Sequence, residues 1–141
     1  MGYHQAGFEV VGVDIEPQPR YPFEHHVGDA LDYLLRHHEE FDAIHASPPC
    51  QRYSTMTKRH GRQDDHPDLV GETRTALAAT GLPYVIENVA GAPLVDPVML
   101  CGMVIDWMTS RELAEALPPV YTRHLGVQLR AAVSERGQVA A

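Results

Sequence analysis

Phe41-Asp42-Ala43-Ile44-His45-Ala46-Ser47-Pro48-Pro49-Cys50-Gln51 carries a short apolar run straight into a proline-stiffened turn that holds a thiol. The run Phe41 to Ala46 reads as a buried strand. Proline fixes its own φ and restricts the residue before it, so the paired prolines limit where the Cys50 side chain can point. In open α/β sheets the ligand crevice lies outside the carboxyl ends of the strands, where this turn falls. A lone cysteine more often serves as a small buried hydrophobe. Here the turn chemistry and an acidic motif further along favour a chemical role.

Working outward, strand-like and helix-like segments alternate, which predicts an α/β fold with a mostly parallel sheet. Gly2 to Ala6 reads as the end of a helix closed by Gly7, and Phe8 to Asp14 as a strand. Glu16 to Pro22 is proline-rich loop, His26 to Asp29 a short strand and turn, and Ala30 to Glu39 a helix. Pro67 suits the first turn of a helix that ends at Thr80 before Gly81. Pro83 to Glu87 forms the next strand, Asn88 to Pro97 a loop, and Val98 to Cys101 another short strand. Thr109-Ser110-Arg111-Glu112 has capping-box spacing for a helix through Leu117. Pro118-Pro119 breaks it, a last helix runs from Tyr121 to about Val133, and the tail after Ser134 is expected to fray.

The 141 residues suffice for one domain with a real core. No apolar run approaches the roughly 18 residues of a membrane span, and Met1-Gly2-Tyr3-His4-Gln5 does not open a signal peptide. Cys50 and Cys101 are expected to be free thiols in a cytoplasmic protein, because secreted disulfide domains are denser in cysteine. The net charge of −8 argues against a self-sufficient DNA binder, since phosphate binding rests on Lys and Arg. Gln51 to Arg62 is the densest basic stretch. It reads as a solvated loop that could still serve a phosphate-bearing substrate.

Asp14, Cys50 and Glu87 end three strands at one sheet edge, and Asp29 follows a fourth. Asp14 could accept hydrogen bonds from ribose hydroxyls, or merely close a turn. Asp29 could accept from an adenine amine, or merely cap the helix beginning at Ala30. A thiolate at Cys50 would be favoured by Arg52 or a helix N-terminus. The interval from Cys50 to Glu87 accommodates a crossover helix and a parallel neighbouring strand. Glu87 would then stand beside Cys50, and a dry pocket there would keep its carboxyl protonated for donation to a ring nitrogen.

Pro49-Cys50-Gln51 combined with Glu87-Asn88-Val89 resembles the DNA cytosine-5 methyltransferase family, of the phage and actinobacterial type. The resemblance implies a Rossmann-like, doubly wound methyltransferase sheet, S-adenosylmethionine as cofactor, DNA as substrate and a restriction–modification setting. It makes Cys50 the nucleophile that adds to C6 of a flipped cytosine, and Glu87 the acid that holds N3 and the exocyclic amine. Asp14 and Ile15 would contact the cofactor's ribose and adenine, Asp29 its adenine amine, and Pro49 would line the site between cofactor and base. Ser47, Gln51 and Asn88 would lie on the substrate side, with Asn88 supporting the Glu87 loop. Stacked duplex atoms are out of reach, so the base must be extruded.

The likeness divides the chain into a partial catalytic core over 1–102, a C-terminal helical segment over 105–134 and a tail over 135–141. Two family features are not matched. The glycine-rich Phe-x-Gly-x-Gly-Gly loop and its strand, the family's first, have no counterpart. Met103-Val104 runs directly into Ile105-Asp106-Trp107-Met108, where the family carries its target-recognition region. The sheet is therefore expected to be incomplete, with unpaired edges on the strands of Val10–Asp14 and Phe41–Ala46, open to another chain that supplies a strand. Little or no methyl transfer is expected from this chain by itself.

Two other readings compete. An amino-group DNA methyltransferase would use Ser47-Pro48-Pro49, but Cys50 takes the place of that family's aromatic residue and Glu87-Asn88-Val89 has no counterpart there. A non-catalytic remnant would bind a full-length methyltransferase or DNA. The histidine pairs His25-His26 and His37-His38 lack ligand spacing with the cysteines, so no metal site is expected. Trp107 and the methionines are expected in the core.

Overall fold

A computed structural model of the chain describes residues 1–97 and 119–139. Ten residues precede the first strand, as helix α1 (Gly2–Gln5) and a turn in which Gly7 takes φ +88°, a value glycine adopts freely. The other elements are β1 (Val11–Asp14), β2 (Glu24–Val27), α2 (Ala30–His37), β3 (Ile44–Ala46), α3 (Thr55–Arg59), α4 (Val70–Thr80), β4 (Tyr84–Ile86) and α5 (Pro119–Val139). Short 3₁₀ turns cover His38–Glu40, Gln51–Tyr53 and Gln63–Asp65. No helix among the described residues is long and apolar enough to cross a membrane.

Among the described residues all strand pairing is parallel, in two two-stranded sheets. In the first, β1 pairs with β2, Val11 opposite Glu24 and Asp14 opposite Val27. In the second, β3 pairs with β4, Ile44 opposite Tyr84 and Ala46 opposite Ile86. Among the described residues, each strand thus has one edge without a strand neighbour. Parallel sheets are normally buried on both faces. Every residue of β1 and of β3 is only half-buried.

The chain divides into two compact units, one holding Met1–Val27 with α5, the other beginning at Gly28. In the first unit α1 packs on α5 at very close range. A side chain at Gly126 would meet the Ala6 methyl at 2.7 Å, and one at Gly2 would run into the backbone at Pro119 and Arg123. Leu129 is buried on the same helix. Arg130 donates to the Gly7 carbonyl at 2.8 Å and lies over the Phe8 ring at 5.7 Å. Burial lifts the Tyr3 hydroxyl to a pKa of about 12. In the second unit α2 contacts α4, and the core holds Leu34, Val70 and Leu77 with the buried Thr73.

Several elements differ from their expected spans. β1 is short because β2 offers only four partners, and Phe8 packs instead against Tyr3 and Arg130. β3 begins at Ile44 because its partner strand is still leaving Gly81, held at φ +65°; the first ladder contact is Ile44 N–H to the Pro83 carbonyl at 3.0 Å. β2 starts at Glu24 rather than His26. α4 starts at Val70 rather than Pro67: Asp68 gives its carboxylate to Tyr53 and Arg52 instead of to a helix N-terminus. α5 continues to Val139, so the residues after Ser134 are helical rather than frayed. Val98–Cys101, the Thr109 capping box and Trp107 lie outside the described residues.

Candidate active site

The β3–β4 register brings the thiol turn and the acidic motif to one end of the second sheet. Ala46 is opposite Ile86, and the Glu87 amide continues the ladder by donating to the Ala46 carbonyl at 2.9 Å. Ser47-Pro48-Pro49-Cys50 leaves β3 where Glu87-Asn88 leaves β4. Asn88 ties the two together: its Nδ2 donates to the Pro48 carbonyl at 2.8 Å, while its Oδ1 accepts from the Val89 amide at 2.9 Å. One amide side chain thereby satisfies backbone groups on both segments. The structure therefore brings together Ser47, Pro49, Cys50, Glu87 and Asn88 at one sheet end, with Gln51 next to Cys50.

Cys50 is half-buried and not in a disulfide. Its carbonyl accepts from the Tyr53 and Ser54 amides at 3.0 and 3.1 Å, closing the 3₁₀ turn that begins at Gln51. Glu87 is half-buried, and its carboxylate has no hydrogen-bond or ion-pair partner among the described residues. Pro49, Ser47 and Gln51 are exposed.

Beneath the turn, His45 occupies the centre of β3 opposite Val85. Burial lowers its pKa to about 4, so the imidazole stays neutral near neutral pH. Its Nε2 lies 3.4 Å from the Ser47 hydroxyl. No reading of the sequence assigned His45 a part. A histidine inside an otherwise apolar strand was the available signal.

The segment after Cys50 is not the plain solvated loop that its charge suggests. Ser54 caps α3 by accepting from the Thr57 amide at 3.2 Å, as serine does at helix N-termini. Arg52 does not act as a free charge beside the thiol. Its Nη1 donates to the Gln63 and His66 carbonyls and its Nη2 to Asp64, all at 3.1 Å, with Asp68 3.7 Å from Nε. Arg62 is paired with Asp65 at 2.8 Å. Desolvation first, and then the hydrogen bond to Asp68, raise the Tyr53 hydroxyl pKa above its usual value. The loop neutralises much of its own charge, leaving Lys58, Arg59 and His60 as exposed basic residues. A hollow of about 300 Å³ is lined by Arg52, Tyr53, Lys58, Gln63 and Asp64, and neither Cys50 nor Glu87 lines it.

The residues expected to hold a cofactor are engaged locally. Asp14, in the first unit, accepts from the Glu16 amide at 2.9 Å and from Gln18 Nε2 at 3.3 Å. Ile15 beside it is 71% exposed. In the second unit Asp29 caps α2, one oxygen accepting from the Leu31 and Asp32 amides at 2.9 Å each. Its Oδ2 has no partner among the described residues. Among those residues no cluster of three or more His, Cys, Asp or Glu is placed to hold a metal ion. No protein-family model matches the chain, and no curated protein or solved structure matches it.

Proposed function

We propose that the sheet end formed by β3 and β4 is the nucleophile and base-binding part of a DNA cytosine-5 methyltransferase site. The observation that carries this reading is the Asn88-to-Pro48 hydrogen bond above the Ala46–Ile86 pair. It links the segment of a candidate nucleophile to that of a candidate base-binding acid, from positions far apart in the sequence. The Cys50 thiolate adds to C6 of an extruded cytosine, forming a C–S bond and moving the C5–C6 π pair towards C5. Glu87 holds the base through its carboxyl group, the O–H of the acid form donating to N3 and the other oxygen accepting from the exocyclic amine. Once C5 has taken up a methyl group, or a proton in the exchange reaction, loss of its original proton to a base restores the C5–C6 double bond and expels the thiolate.

In the first unit Ile15 is exposed, as an apolar contact for a ligand requires, and in the second unit one Asp29 oxygen is left unengaged. Asp14 fits less well, since a ribose hydroxyl would have to displace Gln18. When bound, S-adenosylmethionine supplies the methyl group. The chain's own part is to present Cys50, hold the base through Glu87 and keep Pro49 against it. DNA contact would fall to the exposed Lys58 and Arg59. The edges of β1 and β3 that lack strand neighbours among the described residues support the expectation of an incomplete doubly wound sheet, and with it slow methyl transfer unless another chain supplies a strand.

Incubation of the protein with labelled S-adenosylmethionine and cytosine-containing DNA, followed by hydrolysis to nucleosides, tests the proposal. Slow labelling confined to 5-methylcytosine and removed by Cys50→Ala is the expected result. Label on an exocyclic amine that survives Cys50→Ala would replace this reading with the amino-group one.

A further inference from the structure

The segment after Cys50 and the loop after Glu87 meet at a second place, well beyond Asn88. Gly91 lies against the Tyr53 backbone so closely that a β-carbon there would come within 2.8 Å of the Tyr53 carbonyl oxygen and 2.6 Å of Lys58 Nζ. Its φ is not in the left-handed region. The need at this position is therefore for space rather than for an unusual backbone angle. Lys58 Nζ donates to the Gly91 carbonyl at 3.5 Å. The far side of the same loop is held by Arg74, which donates to the Pro93 carbonyl.

What presents Tyr53 and Lys58 at that contact is the lobe closed by Arg52. Its guanidinium gathers the Gln63 and His66 carbonyls and Asp64, and Asp68, near Nε, accepts from the Tyr53 hydroxyl. Two backbone carbonyls and a carboxylate suit a planar fork of donors, which a lysine ammonium cannot reproduce. Tyr53 is also bound to Cys50 through the 3₁₀ turn. A continuous set of contacts thus runs from the Arg52 lobe through Tyr53 to Gly91, and returns to the thiol turn through Asn88 and Pro48.

We propose that Arg52 and Gly91 are positioning residues that clasp the Cys50 segment to the Glu87 loop, so that thiol and carboxylate are presented as one body. The assignment of a catalytic purpose to this clasp rests on the cytosine reading above. The clasp itself is a mechanical coupling and has its own test. Neither residue touches substrate in this scheme.

The experiment compares wild type, Gly91→Ala, Arg52→Gln and Arg52→Lys by amide hydrogen exchange and by release of tritium from the C5 position of cytosine in DNA. Tritium release reports reversible thiolate addition without methyl transfer. Gly91→Ala is expected to speed exchange at the Tyr53 and Ser54 amides, and Arg52→Gln at Val89 to Ala92, each by about tenfold or more. Amides around Leu77 should be unchanged and mark a folded unit. Tritium turnover should fall about tenfold in each variant with KM for DNA within about twofold, and Arg52→Lys should not restore it. If each substitution loosens only its own segment, the clasp is overturned, whatever the tritium assay shows. If the wild type releases no tritium while the cross-segment exchange changes appear, the clasp stands and the cytosine reading fails. Should Gly91→Ala not fold, the effect of the two Arg52 substitutions on Val89 to Ala92 decides the question.

Discussion

Asp14 and Asp29 spend their carboxylates on amides and side chains within a few residues of themselves, whereas Asn88, Lys58 and Arg74 reach from one loop or helix to another. The first pattern is what any turn or helix start requires. The second fixes segments that are distant in sequence. Local hydrogen bonds hold their shape without help, so Asp14 and Asp29 stay in place whatever the rest of the chain does. The long-range set does something a lone turn cannot: it makes the position of Cys50 depend on the position of Glu87.

Changing the two reacting residues should have the largest effect. Cys50→Ala is expected to lower tritium release at cytosine C5 at least ~10³-fold, as loss of an obligatory nucleophile does. Glu87→Gln should cost about 10²-fold, the lower range for a positioned acid–base group. Equal rates in both variants and wild type would reduce the long-range contacts to a purely structural feature.

Acid should separate the two patterns next. Unfolded His45 binds a proton near pH 6.5, whereas folded His45 resists it until about pH 4. Between those values the unfolded state holds more protons, so stability falls as pH drops through the window and is unaffected by this group above it. The loss should approach about 3 kcal/mol at the acid end. Denaturant titrations from pH 7 to pH 4 check it, with His45→Gln as the variant whose profile should flatten.

Asn88→Ala removes the only described donor to the Pro48 carbonyl and should cost about 1–3 kcal/mol. Calorimetric melting measures this, together with faster alkylation at Cys50 mapped by peptide mass spectrometry. Asp29→Ala removes a local helix cap and should cost only about 1 kcal/mol. Its effect on Cys50 alkylation should be nil. An Asp29 effect on Cys50 as large as that of Asn88 would erase the distinction between local and long-range groups.

The sequence made the α/β alternation legible because glycine and proline punctuate it. Gly81 closes α4 and Pro119 opens α5. The pairing of the Ser47–Cys50 turn with Glu87-Asn88 was legible too, since the interval between the two strands leaves room for a crossover. Strand lengths were not, because pairing stops where the partner ends rather than where the β-branched run does. The Arg52 lobe was hidden for another reason. Charges that read as a solvated basic stretch fold back onto Asp64, Asp65 and Asp68, and only three-dimensional proximity selects those partners. Gly91 looked like one loop glycine among several, since a close approach leaves no mark on the chain that makes it.

In the proposed chemistry Cys50 adds covalently to cytosine while Glu87 holds the base. Release of tritium from C5-labelled cytosine in DNA measures that addition most directly. The expected result is release by the wild-type chain, without added cofactor, that falls to background in Cys50→Ala and is strongly reduced in Glu87→Gln. Release at the wild-type rate by the Cys50→Ala variant would contradict it.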